Sequence, residues 1–121
     1  MGDAVVGTNW HSGNASDDGQ DTRGWLLGHF IDPPEDVRAT EALEVKWGHH
    51  ASGEKRSGWT ADDQRTTLLL LVQGRFRLEL TEGSFTLERQ GDYVVWGAGI
   101  DHFWEALTDS VVITVRWPSS T

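Results

Sequence analysis

Residues 66–80 read TTLLLLVQGRFRLEL, and the hydrophobic pattern changes in the middle of the stretch. Positions 68–72 are apolar without interruption, whereas Phe76, Leu78 and Leu80 alternate with Arg75, Arg77 and Glu79. Period-two alternation marks a strand with one covered face, and an unbroken apolar run of this length marks a strand covered on both. Gln73 and Gly74 supply the turn between them. The second face of 68–72 needs a cover, and two are available: the apolar segment 25–31, or a second copy of the chain.

The same pattern recurs along the chain. In ALEVKWGHH (42–50), Leu43, Val45, Trp47 and His49 fall on one face and Glu44, Lys46 and His50 on the other. The apolar set is expected to face inward, which places His49 with the buried residues. Further strands are predicted in WLLGHFI (25–31), FTLERQGD (85–92), YVVW (93–96) and DSVVITVRW (109–117). Pro33 and Pro34 close the first of these. Residues 51–64 form a polar, glycine-broken loop with Trp59 in its middle, a ring expected to fold back onto something apolar. Seven or eight short strands, no convincing helix and turn signals every eight to twelve residues make the pattern of a sandwich or small barrel. Residues 11–24, rich in Gly, Asp and Ser, read as polar and flexible. The expected organisation is a flexible N-terminal arm over 1–24 and one β domain over 25–121.

Composition narrows this picture. A chain of 121 residues suits a single core, and although hydrophobic residues are only 37%, seven are tryptophans with large area to bury. A net charge of −9 argues against nucleic acid and anionic membrane as partners, since both need clustered positive charge. The absence of cysteine excludes disulfides, thiolate metal sites and thiol nucleophiles. No apolar run approaches the ~18 residues of a membrane span, and MGDAVVGTNW lacks the basic-then-apolar order of a secretory signal. The expected setting is soluble and cytoplasmic.

The segment GDYVVWGAGIDHFWEA (91–106) resembles the second sequence motif of the cupins, small β-barrels built of two antiparallel sheets. That motif runs Gly, five residues, Pro, one, Gly, two, His, three, Asn. Gly91, Gly99 and His102 occupy three of its marked positions, while Gly97 replaces the proline and Ala106 the asparagine. Gly74 fits the last glycine of the first cupin motif, but Thr67 stands at its glutamate, and its two histidines fall on Ala61 and Asp63 or on Thr60 and Asp62. The longer string also resembles a group of small bacterial cupin-like proteins that sometimes carry the name signal peptidase I. The Ser/Lys pairing of such a peptidase has no setting in this sequence. The resemblance covers roughly residues 40–117. It implies an all-β fold, a single cupin-like double-stranded β-helix (jelly-roll) barrel.

Cupins of this kind hold a divalent metal (Fe, Mn, Ni or Zn) with three histidines and a carboxylate, and only His102 remains in place. Three readings follow. In the first, the chain binds a small molecule in a cavity lined by His49, His102, Trp47, Trp59, Trp96 and Trp104, with Thr67 at the lost glutamate position, and the metal quartet is gone. In the second it is a metal-dependent oxygenase, isomerase or cyclase with a rearranged site, His49 and His102 binding the metal with a carboxylate such as Asp62 or Asp63. In the third it is a structural or interaction protein, a homodimer assembled through the doubly apolar strand. Nucleophilic catalysis has no support, since there is no G-x-S-x-G elbow and no serine spaced to meet a histidine.

Overall fold

The computed structural model describes residues 5–7, 9–60 and 63–120. Ten strands among them run in chain order: β1 (Val5–Gly7), β2 (Trp10–Ser12), β3 (Trp25–Leu27), β4 (Glu44–His50), β5 (Thr66–Gln73), β6 (Phe76–Leu80), β7 (Gly83–Leu87), β8 (Tyr93–Trp96), β9 (His102–Ala106) and β10 (Ser110–Trp117). A single short helix, α1 (Ala15–Asp18), is capped by the Asn14 side chain, which accepts from the backbone N–H groups of Ser16 and Asp17. The stretch expected to be a flexible arm therefore carries β2, α1 and a 3-10 turn at Gln20–Thr22 before the barrel strands begin.

Two antiparallel sheets build the jelly-roll barrel. One has the order β3-β4-β10-β5-β8, the other β7-β6-β9, and β1 and β2 form a separate hairpin. The edge of the smaller sheet is extended by the segment 53–60. Gly53 N–H donates to Ala106 O (2.8 Å), Ala106 N–H to Glu54 O (2.8 Å), Arg56 N–H to Trp104 O (3.2 Å) and Thr60 N–H to His102 O (3.0 Å). What reads as a polar loop thus supplies the backbone partners that β9 needs on its open side.

The core is the inner face of both sheets. Leu69, Leu71, Phe76, Leu78, Leu87, Trp96, Ala106 and Val112 are buried there, and the Phe76 and Trp104 rings stack at 5.2 Å. β5 follows its sequence pattern: Leu69 and Leu71 face in, and Leu68 and Leu70 form part of the outer surface, half-buried. Residues 25–27 do not cover that outer surface. They lengthen the sheet by pairing with β4 at its edge, so of the two expected covers this one is corrected. Gly74, in the β5–β6 turn at φ 102°, cannot be replaced without collision: an added Cβ would meet the backbone of Asp109 and the Ser110 side chain.

The expectation for β4 is also corrected. Glu44, Gly48 and His50 are buried, while His49 is exposed and Trp47 only half-buried. The inward set is the polar one. Glu44 pairs with Arg116 across β10 and His50 with Ser110, so these residues share the inner face, and Trp47 opposite Ile113 and His49 opposite Val111 share the outer one. The period-two alternation holds, with the polar set inward, because this sheet keeps apolar side chains on its outer face as well.

Candidate functional site

Four of the residues singled out in the sequence do face the interior. Thr67 lies opposite Trp96 on β8, and both are buried. His102 pairs with Leu80 and Trp104 with Leu78 across β6, which turns both side chains inward. The His102 ring lies 4.8 Å from that of Trp96, and its Nδ1 is 2.9 Å from the Thr60 hydroxyl, which also accepts from the His102 backbone N–H. Burial, reinforced by the positive charges of Arg56 and Arg116, pushes the His102 imidazole down to about 4, so it is neutral at pH 7. Trp59 does not join this group. It is 49% exposed, and its ring packs beside Phe103 on the outside of the smaller sheet.

His49 and His102 therefore lie on opposite faces of their sheets and do not converge on one ion. Asp63 is held by Arg65 through two bonds of 3.0 Å, and Asp62 lies outside the described residues. Among the described residues no three His, Asp or Glu side chains come together as a metal would require. Among the described residues the donor set does not fit the cupin metal centre.

One cavity sits at the seam between the two sheets, where β4 faces Glu54 and Trp104 and residues 15–24 lie at the opening. It has a volume of about 680 Å³ and is lined by Lys46, Trp47, Gly48, His49, His50, Glu54 and Trp104, with Arg23 on the arm side. The arm is fastened there by Trp47 N–H donating to Gly24 O at 2.8 Å. Trp47, His49 and Trp104 belong to this cleft as lining residues, whereas Trp59, Thr67, Trp96 and His102 do not.

Three further side chains make the cleft chemically distinct. His50 Nδ1 is 2.9 Å from Glu54 Oε1, and the bond from His50 holds the Glu54 carboxyl below its usual range. The other ring nitrogen, Nε2, is turned away from Glu54. That atom lies above Gly48, where an added Cβ would come within 2.9 Å of it. The His50 ring is also 4.4 Å from that of Trp104. Lys46, on the same inward face, points over the Trp25 ring at 5.5 Å, and burial together with the neighbouring Arg116 pushes its ammonium below the ordinary lysine value. The signal for these residues was present in GHHASGE. A glycine inside a strand marks a close approach, and His50 and Glu54 are an acid–base pair four residues apart.

Deeper in the barrel the polar groups are mutually satisfied. Glu44 accepts from Arg116 Nε (2.8 Å), Arg65 (3.3 Å) and the Ser119 hydroxyl (3.2 Å), and it lies 2.6 Å from the second Arg116 nitrogen. Every charge in this network has its partner, so it closes the barrel and offers no free group to a ligand.

Solved structures with the same fold include KdgF from Halomonas sp., 26% identical, with a TM-score of 0.59 over 65% of this chain and 71% of that one. An RmlC-like cupin from Shewanella frigidimarina is 18% identical, with a TM-score of 0.60 over 66% and 69%. A cupin superfamily protein from Desulfitobacterium hafniense is 17% identical, with a TM-score of 0.58 over 64% and 69%. No protein-family model matches the sequence, and no curated protein matches it. The chain has the fold of the cupin superfamily, as a single jelly-roll barrel. No helix among the described residues is long and apolar enough to cross a membrane.

Proposed function

We propose that the chain is a small-molecule-binding protein whose ligand occupies the cleft between β4 and Trp104. The observation that carries this reading is the cleft itself. Its volume of about 680 Å³ falls within the ~300–1,000 Å³ typical of small-molecule sites, which combine apolar walls with a few placed polar groups. Here Trp104 is the apolar wall, and His50 and Lys46 are the polar groups. Of the cavity residues expected from the sequence, Trp47, His49 and Trp104 line this cleft and Trp59, Thr67, Trp96 and His102 do not, and on β4 it is His50 that faces inward. A thermal-shift screen of small metabolites, followed by tryptophan fluorescence, tests the reading. Compounds that stabilise the protein are expected to quench its emission and to lose both effects in Trp104→Phe and His50→Leu. Hits that bind these variants as well as the parent place the ligand elsewhere and overturn it.

A second copy of the chain is the occupant proposed for the outer face of the five-stranded sheet. Tyr93, Val95 and Trp117 are 61%, 50% and 40% exposed there, beside Val45, Leu68, Leu70, Ile113 and Val115, and no charged residue interrupts them. In a chain of net charge −9, copies repel one another over most of the surface, and an uncharged patch is where a two-fold contact can form. Sedimentation of the parent is expected to give a dimer, and the Tyr93→Glu/Val95→Glu double variant a monomer. A parent that stays monomeric at tens of micromolar overturns this second reading.

A further inference from the structure

We infer that the cleft is built for a small organic anion, a carboxylate on a flat scaffold, with the Lys46 ammonium as its counter-charge. The inference rests on the cleft being the ligand site. It goes beyond that reading because the charges around the cleft are unbalanced in a particular way. Of the cations grouped there, Arg116 is neutralised by Glu44 at 2.6 Å. Lys46, Arg23 and Arg56 stand in no ion pair among the described residues, although acidic side chains outnumber basic ones in the chain by 19 to 10. The one carboxylate of the cleft, Glu54, is already engaged by His50 and the Ala51 N–H. Burial is the first cause that lowers the pKa of the Lys46 ammonium, and the like charges of Arg116, Arg56 and Arg23 add to it against the carboxylate of Glu54. The remaining contact of Lys46 is the Trp25 ring, which it shares with the Arg116 guanidinium at 4.5 Å.

A cation held in this way gains from any anion that enters, because the anion relieves both its desolvation and its repulsion. The rest of the cleft states what the anion is attached to. Gly48 stands between Lys46 and His50 on the inward face, and its missing side chain makes the room that the His50 ring fills. The Trp104 ring, stacked on Phe76 and tilted against His50, forms one wall and suits a planar group. His50 Nε2, above Gly48, is a ring nitrogen of a cleft-lining residue and a polar partner for a ligand hydroxyl or N–H. One ammonium without a turn of backbone N–H groups around it matches a monoanionic carboxylate better than a phosphate, which is ordinarily cradled by several donors.

The test compares 2-naphthoate with 2-naphthamide, which share a flat ring system and differ in charge, by titration calorimetry at neutral pH. The parent is expected to prefer the naphthoate by about tenfold or more, equivalent to ~1.4 kcal/mol. Lys46→Met is expected to abolish the preference while keeping the naphthamide affinity, and Lys46→Arg to retain the preference. Equal affinities in the parent, or a preference that survives in Lys46→Met, overturn Lys46 as the counter-ion and leave the cleft reading standing. Failure of both compounds to bind overturns the cleft reading with it.

Discussion

On its inner face the five-stranded sheet carries Glu44, Lys46, His50, Thr67 and Arg116, and on its outer face the same strands carry Val45, Trp47, Leu68, Leu70, Ile113 and Val115. A barrel that only needed to fold would reverse these sets. Apolar burial is the main stabilising term, and a buried charge must be compensated by partners. The inner polarity of this sheet lies on β4, on Ser110, Thr114 and Arg116 of β10 and on Thr67, while Leu69, Leu71 and Val112 keep the rest of its inner face apolar. The difference teaches how the chain divides its work: polar groups inside hold a network and face a cleft, and apolar groups outside remain available for contact.

The sharpest way to break that comparison is to remove Glu44. Its side chain is 3% exposed and compensates both Arg116 and Arg65. Truncating one member of a buried ionic set leaves the others charged and unpaired, which ordinarily costs ~3–5 kcal/mol. Urea denaturation of Glu44→Ala is expected to show a loss of this size. Tyr93→Ala, on the outer face and 61% exposed, is expected to change the stability of the monomer by no more than ~0.5 kcal/mol. If the two variants lose equal stability, the inner network does not hold the barrel together.

A smaller effect separates the two histidines that the sequence paired. His102 is buried and held near pKa 4 against an ordinary 6.5, with desolvation as the first cause. Between these values the unfolded chain binds the extra proton and the folded chain does not. The stability owed to neutral His102 is therefore complete above pH 6.5 and is lost as pH falls from 6.5 through 4. His102→Asn is expected to flatten the fall in stability over this interval, and His49→Asn, on the exposed outer side, to leave it as in the parent. Melting temperatures across pH 4–7 check the contrast, and parallel curves for parent and His102→Asn would contradict it.

How far these faces could be read in advance depended on the kind of signal. The doubly apolar run at 68–72 marked a strand covered on both faces, and the Gly91–Gly99–His102 spacing, through its resemblance to the cupin motif, implied the barrel and an inward His102. The β4 alternation identified a strand but not its orientation. Period two separates Trp47 and His49 from Lys46 and His50, yet which set faces in depends on groups distant in sequence, such as Arg116 and Glu54. Residues 53–60 gave no strand pattern, since most of their bonds to β9 are between backbone groups, and a backbone bond leaves no trace in side-chain periodicity.

Trp59 offers the finest test, because it shares its residue type with Trp104 and differs only in where the fold puts it. Both tryptophans were expected in one cavity, and the structure places Trp104 on the inner face opposite Leu78 and Trp59 outside against Phe103. With about half its surface exposed, Trp59 excludes little water from its neighbours, and its packing amounts to one aromatic contact of ~0.5–1.5 kcal/mol. Trp59→Ala is expected to cost about that much in urea denaturation and to leave binding in the cleft unchanged. Trp104→Phe removes the indole from the cleft wall and is expected to weaken ligand binding. A Trp59→Ala variant that loses ligand affinity would carry the site across β9 to the outer side of the smaller sheet. The partition between a binding interior and a contact exterior would then fail at that sheet, whatever the larger one shows.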